Sequence, residues 1–407
     1  MPGGIDPHTH FEVLFQGEVS PDDFYVGTKA SVAGGTTTII DFVLPKTGES
    51  LVDKYHEYRK LADEKVCCDY SFHMCLSWWS ESVSDEIEII ARDYGINSFK
   101  MFMAYKGFCQ LKDGEMYEAL EKIRAVKGLA MVHAENGDII ERNVEQLLKN
   151  GITGPEGHQL SRQEEVEAEA VYRACILAHQ ANCPLYVVHV MGKPAANEIA
   201  RARKRYEGKG GIYAEALAAA IAMDGSKFHN SCHHVMDELQ VIASDSCAFH
   251  SKQKERGKED FSKIPTGING AEDRMSVLWE KGVHAGFLDP CRYVALTSTN
   301  TAKIFNMYPK KGHIAVGSDA DIIVWNPDKK RKISKDTHHH AIDYNVFEGM
   351  VCHGVPEYVL VRGKVCVDNG KVDVERGYGK FVENPVNNPY IYNNLQNKRP
   401  IEEPYCK

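Results

Sequence analysis

Over its first two-thirds the chain alternates short β-branched apolar runs with amphipathic stretches, and that rhythm limits the folds open to it. The run "GTTTIIDFVL" (35–44) precedes a helical pattern at 54–65, and "CCDYSFHMCLSW" (67–78) precedes one at 82–95. "INSFKMFMA", "LAMVHAENGD", "PLYVVHVMG", "GGIYAEA" and "LQVIASDS" continue the series. "GEMYEALEKIRAVKG" and the stretch 162–181 read as helices between them, the latter with Val166, Ala170, Val171, Ala174, Ile176 and Leu177 as its apolar side. Parallel βα repeats in this number close into a TIM (β/α)8-type barrel with helices outside. The competing open doubly wound sheet would carry a GxGxxG fingerprint after its first strand, and none is present.

From about residue 312 the texture changes to short strands separated by Gly and Asn turns. The reading is therefore a barrel over 1–311, a small β module over 312–373, and a Pro- and Asn-rich arm over 374–407. The arm is expected to pack on a neighbour or lie disordered. The motif "EVLFQG" (12–17) resembles a protease site but reads as loop, without functional weight.

Charge and cysteine usage narrow the partners. A net charge of −9 argues against nucleic acid, which needs a basic surface to replace phosphate counterions. No apolar run approaches the roughly 18 residues of a membrane span, and "MPGGIDPHTH" does not read as a signal peptide. Twelve cysteines, with one adjacent pair (Cys67, Cys68) and no CxxC, predict reduced thiols and a cytoplasmic protein.

Chemistry is concentrated where the apolar runs end. "GGIDPHTH" places His8 and His10 two apart on an extended segment, so both face the same way. Lys100, His133, His189 and Asp245 sit in or after later runs. In a parallel barrel the C-terminal strand ends converge on one mouth. Taken singly, each histidine reads as a packing residue and the aspartate as a cap; taken together they suit zinc or a similar divalent ion. Four histidines and an aspartate exceed the three protein ligands of one catalytic zinc, which points to two ions and an anionic bridge. Lys100 has two readings here: a side chain snorkelling to the mouth, or a carbamate formed with carbon dioxide whose two oxygens bridge the ions. His233, His234 and the run His338 to His340 lack strand context and read as surface or loop residues.

These stretches, with "GTKASVAGGTTTIIDF", "GITGPEGHQLSRQEEVEAEA" and "NGAEDRMSVLWEKGVHAG", resemble the dihydropyrimidinase group of the amidohydrolase superfamily. That group also holds hydantoinase, dihydroorotase and the collapsin-response mediator proteins. The resemblance covers nearly the whole chain. It implies a barrel with a small β-sandwich, a homotetramer, a small cyclic amide as substrate and two zinc ions per subunit bridged by a carboxylated lysine. Carried over by position, His8, His10 and Asp245 hold one zinc, His133 and His189 the other, and carboxylated Lys100 is shared. Tyr105 corresponds to the tyrosine that hydrogen-bonds the developing oxyanion, and Asn269 to a position whose backbone contacts the substrate. Asp245 is also expected to move the catalytic proton.

Two departures from the group are visible. The sandwich strands that precede the barrel in relatives are missing, and 223–246 is shortened, with "AEA" in place of Gly-Glu-Pro in the preceding strand. The shortening leaves open whether Asp245 reaches its ligand position. It also keeps an alternative alive, a non-catalytic adaptor or assembly protein like the collapsin-response mediators.

Overall fold

The computed structural model describes residues 1–206, 210–223, 239–393 and 395. Eight parallel strands follow one another around a sheet: β1 (Gly4–Thr9), β2 (Thr36–Val43), β3 (Asp69–Cys75), β4 (Ser98–Phe102), β5 (Leu129–His133), β6 (Leu185–Val187), β7 (Ile212–Leu217) and β8 (Val241–Ala243). The ring is closed where Thr9 bridges Ser246 and the His10 amide donates to Ser246 O at 2.9 Å. The barrel reading is thus correct, and β8 and β1 meet through only a short seam.

The outer helices begin where side chains can satisfy free amides. Asp23, Ser50, Ser80 and Asn136 each accept from the amide three residues on, starting the helices Phe24–Ala33, Leu51–Asp63, Glu81–Asp93 and Gly137–Lys149. Helix Glu164–Gln180 buries Val166, Ala170, Val171, Ala174, Cys175 and Ala178. Ile176 and Leu177, assigned to that face from sequence, are only half-buried. The helical repeat carries the buried face from 171 and 174 to 175 and 178 and leaves 176 and 177 on its flank.

After the barrel, β9 (Ile322–Lys332), β10 (Val351–Val361), β11 (Lys364–Asp368) and β12 (Lys371–Val372) form one antiparallel sheet. The first residues of the chain run along it, with the Gly3 amide donating to Asp321 O at 2.8 Å and the Ile323 amide to Met1 O at 2.9 Å. A buried cation ties this module to the barrel. Lys311 Nζ lies 2.5 Å from Asp69 Oδ2, 3.0 Å from Asp319 Oδ2 and 2.6 Å from Asp321 Oδ2, and Arg362 also pairs with Asp69.

Two expectations are corrected. Up to Asn393, the C-terminal arm packs on its own barrel: the Val382 amide donates to Tyr70 O (2.7 Å), Asn384 to Gly95 O (2.6 Å) and Asn387 to Lys127 O (2.9 Å). Those carbonyls lie at or just before the starts of β3, β4 and β5, where strand ends leave backbone acceptors free, so the arm covers the end opposite the mouth. The histidines 338–340 do lie in a loop, as read, but His340 is no surface residue. His340 is buried with Nδ1 2.6 Å from Asp22 Oδ2, and His339 Nδ1 lies 3.1 Å from Glu272 Oε2. Their carboxylate partners lie more than 60 residues away in sequence, which no local pattern reveals. His233 and His234, and most of the shortened stretch 223–246, lie outside the described residues.

Two stability outcomes are expected. Lys311→Met leaves three carboxylates around a buried neutral chain and should cost about 3–5 kcal/mol, read as a lowered urea midpoint. Burial disfavours a charge on His340, yet Asp22 outweighs it and pushes the imidazole up to about 9. The stabilisation is therefore complete below the ordinary value of 6.5 and is lost as pH rises through about 9. The stability gap between the wild type and His340→Gln should close over that window.

Candidate metal centre

Each expected ligand lies at the mouth. His8 is in β1 and His10 just past it; Lys100 is within β4 and His133 ends β5; His189 and Asp245 follow β6 and β8 by two residues. Strand geometry supplies the aim, because the parallel register carries neighbouring strand ends to the same height: Cys75 pairs with Lys100, and Lys100 with Met131. Three residues here hold left-handed backbone unusual for a side-chain-bearing residue: Tyr105 (φ 64°), His189 (φ 34°) and Asp245 (φ 50°). Such strain survives only where the surroundings over-determine it, and it gathers at functional sites.

Asp245 Oδ1 lies 3.2 Å from His8 Nε2 and 3.4 Å from His10 Nε2. The shortened stretch before it has not displaced it. Tetrahedral zinc with bonds of about 2.0–2.1 Å spaces its ligands roughly 3.3 Å apart, so these three atoms already mark the corners of a metal site. On the other side, His133 Nδ1 and His189 Nε2 lie 2.8 Å apart. The His8 and His189 ring centroids are 5.5 Å apart, which joins the two halves.

Lys100 is 1 % exposed, with the Phe42 and Phe102 rings 4.7 and 5.2 Å from its Nζ. No carboxylate pairs with it among the described residues, and burial pushes its pKa down. A lysine held without a counter-ion beside four histidines and an aspartate is poorly placed as a cation. The snorkelling reading fails, since the side chain is buried and does not reach solvent. A neutral amine at this position is the form that adds carbon dioxide, and the anion formed would suit two cations. The donor set therefore fits divalent metal, with His8, His10 and Asp245 placed to share one ion.

Electrostatics favour ligand forms. Burial drives His8 and His189 well below the usual imidazole range, leaving neutral rings with lone pairs. Burial alone would raise Asp245, but its close contacts with His8 and His10 override it and hold the carboxyl well below its usual range. Tyr105, whose ring centroid lies 4.9 Å from that of His133, is pushed up by burial and stays a protonated donor. Asn269 is buried beside this cluster. The neighbouring Ile268 carbonyl accepts from the Cys247 amide at 2.9 Å, and Asn269 Oδ1 accepts from the Val346 amide at 2.9 Å.

Sequence reading missed the carboxylates behind the ligands. Glu215 in β7 is fully buried, pairs with His8 Nδ1, accepts from the His189 amide at 3.1 Å and from the Tyr186 hydroxyl at 2.8 Å. One carboxylate thus orients residues from both halves of the centre. Glu135 Oε2 lies 2.7 Å from His133 Nε2 and 3.3 Å from an Arg162 guanidinium nitrogen. The signal for Glu215 was present in "IYAEAL", a lone carboxylate in an apolar strand.

Barrel, strained mouth and convergent donors define a β/α-barrel protein with a candidate divalent-metal site at its strand ends. The profile of the amidohydrolase family matches residues 1–366. Dihydropyrimidinase of Rattus norvegicus is 50% identical over 98% of this chain and 81% of that protein. The crystal structure of dihydropyrimidinase from Brevibacillus agri NCHU1002 superposes with a TM-score of 0.91 at 39% identity, over 95% of this chain and 88% of that one. A D-hydantoinase crystal structure gives 0.91 and 39%, over 94% and 88%. The chain belongs to the amidohydrolase family.

Removing the orienting carboxylate tests the arrangement: Glu215→Gln should weaken binding of a divalent ion about 10–100-fold, measured by competition with a chelator.

Proposed function

We propose that this protein hydrolyses the cyclic amide of 5,6-dihydropyrimidines such as dihydrouracil and dihydrothymine, yielding N-carbamoyl-β-amino acids in pyrimidine catabolism. The observation that carries the reading is the convergence of His8, His10, His133, His189 and Asp245 around a buried Lys100 that makes no ion pair among the described residues. In this reading His8, His10 and Asp245 would hold one zinc ion and His133 and His189 a second, with carboxylated Lys100 shared by both. When bound, such ions polarise a carbonyl and bring the pKa of a water down to about 7.

The chain's own groups do the rest. Asp245, ionised and held by His8 and His10, takes the proton released as water adds to the ring carbonyl. It delivers that proton to the ring nitrogen as the C–N bond breaks. The Tyr105 hydroxyl donates to the oxyanion while the carbonyl carbon is tetrahedral. The backbone at Asn269 meets the ring's polar edge and fixes its orientation. The ring enters as a small neutral molecule, in keeping with a chain that carries net negative charge.

We place the protein in the cytoplasm as a homotetramer. Support for that compartment is the absence of disulfides among the described cysteines, all of which are free and all but Cys291 buried. The adaptor reading has no use for a complete donor set or for three strained residues at the mouth. Metal analysis separates the two, since the enzyme carries two zinc ions per chain and the adaptor none.

Zinc-replete protein should consume dihydrouracil, followed as loss of ultraviolet absorbance, and absence of turnover on both dihydrouracil and hydantoin would overturn the proposal. Lys100→Ala should lose both ions and activity, with partial rescue by added short-chain carboxylates. A variant with full zinc content and turnover would rule out the bridge. Asp245→Asn should lower kcat by about 10²–10⁴.

A further inference from the structure

A second group of metal-binding side chains lies outside the barrel mouth. Glu280 and His284 belong to the π-helical turn Trp279–His284, and His353 belongs to β10. One ligand atom from each lies within 4.8 Å of the other two. In a π-helical turn the hydrogen bonds run to the fifth residue, so residues four apart stand nearly one above the other. Across the gap to the strand, His284 stacks on His353, with ring centroids 3.7 Å apart and planes 19° apart. His284 is exposed, and the other two are half-buried, so an ion reaches the group from solvent.

The His353 amide donates to Glu280 Oε2 at 2.7 Å, and His353 Nδ1 lies 2.9 Å from the same oxygen. That oxygen and Nδ1 are both ligand atoms, and an ion seated between them would take the place of the proton they share, releasing it on binding. Two histidines and a glutamate are a recurrent zinc ligand set. The turn and the strand already touch one residue further on. Gly354 (φ +82°) passes so close to Trp279 that a Cβ would sit 2.5 Å from its ring, and Ser276 Oγ donates to Gly354 O at 2.8 Å.

We propose that Glu280, His284 and His353 bind a divalent transition-metal ion of the zinc class, which clasps the β9–β12 sheet to the outer helices of the barrel. The strand-end centre takes no part in it. Sharing one ion tilts the two imidazoles out of their stack, because the in-plane lone pairs of parallel rings do not converge.

The test compares the metal-loaded wild type with His284→Ala and His353→Ala by equilibrium dialysis against zinc, with metal content and melting temperature as readouts. The wild type should hold one more equivalent than either variant, and its melting temperature should rise more on adding zinc than that of either variant. Turnover should be the same in all three. Equal zinc content in the three proteins would overturn the site, and an extra ion without the larger gain in melting temperature would overturn the clasp. His284 is exposed, so its substitution decides the matter if His353→Ala does not fold. The measurement is a difference between chains with the same strand-end cluster, so it stands independently of what the mouth binds.

Discussion

Everything at the mouth depends on closing the ring between its first and last strands. His8 and His10 come from one side of that seam and Asp245 from the other, and backbone pairing across it is short. The buried Asp6 carboxylate does much of the joining. Its Oδ1 accepts from the Ser244 amide at 3.1 Å, and Arg274 Nε stands 3.7 Å from its Oδ2. Arg274 in turn donates to Ile242 O at 2.8 Å and to Thr36 Oγ1 at 3.0 Å, so one guanidinium spans β8 and β2. Ser244 Oγ donates to His8 O at 3.1 Å. An ionic group buried this deeply is held by its partners, and here those partners fix how far His8 stands from Asp245.

The same economy recurs around the barrel, because a charge taken out of water must find a matched partner. Glu215 gathers His8, the His189 amide and Tyr186, so the ligands are oriented before any ion arrives. Lys311 collects three aspartates at the junction with the small sheet. His340 and Asp22 lock a loop whose Val346 amide reaches Asn269. Lys100 is the exception. Its amine is buried among aromatic rings and imidazoles with no ion pair among the described residues, a setting that disfavours its charged form.

Much of this was legible in the order of residues. Alternating apolar runs and helical patterns predicted the barrel, since strands joined by helices run parallel and parallel strands of this number close. The six expected ligands gather at the mouth, His8, Lys100 and His133 from within strands and His10, His189 and Asp245 from just past them. Less legible was anything that depended on a distant partner. Glu215 read as a departure from a motif, and only the fold shows it reaching His8 from 207 residues away. The His338–His340 run read as loop polarity, and the arm after Val374 as a tail, because hydrogen bonding to the far end of the barrel leaves no local periodicity.

The sequence by itself determined the strand order, the rows of side chains facing the mouth and the donor types gathered there. Those follow from residue spacing, which is covalent. Tertiary structure alone decided the separations: 3.2 and 3.4 Å between Asp245 and its two histidines, and the burial that leaves Lys100 without a counter-ion. Distances across a closed ring depend on register, seam and packing from every strand at once, and no local stretch of chain encodes them.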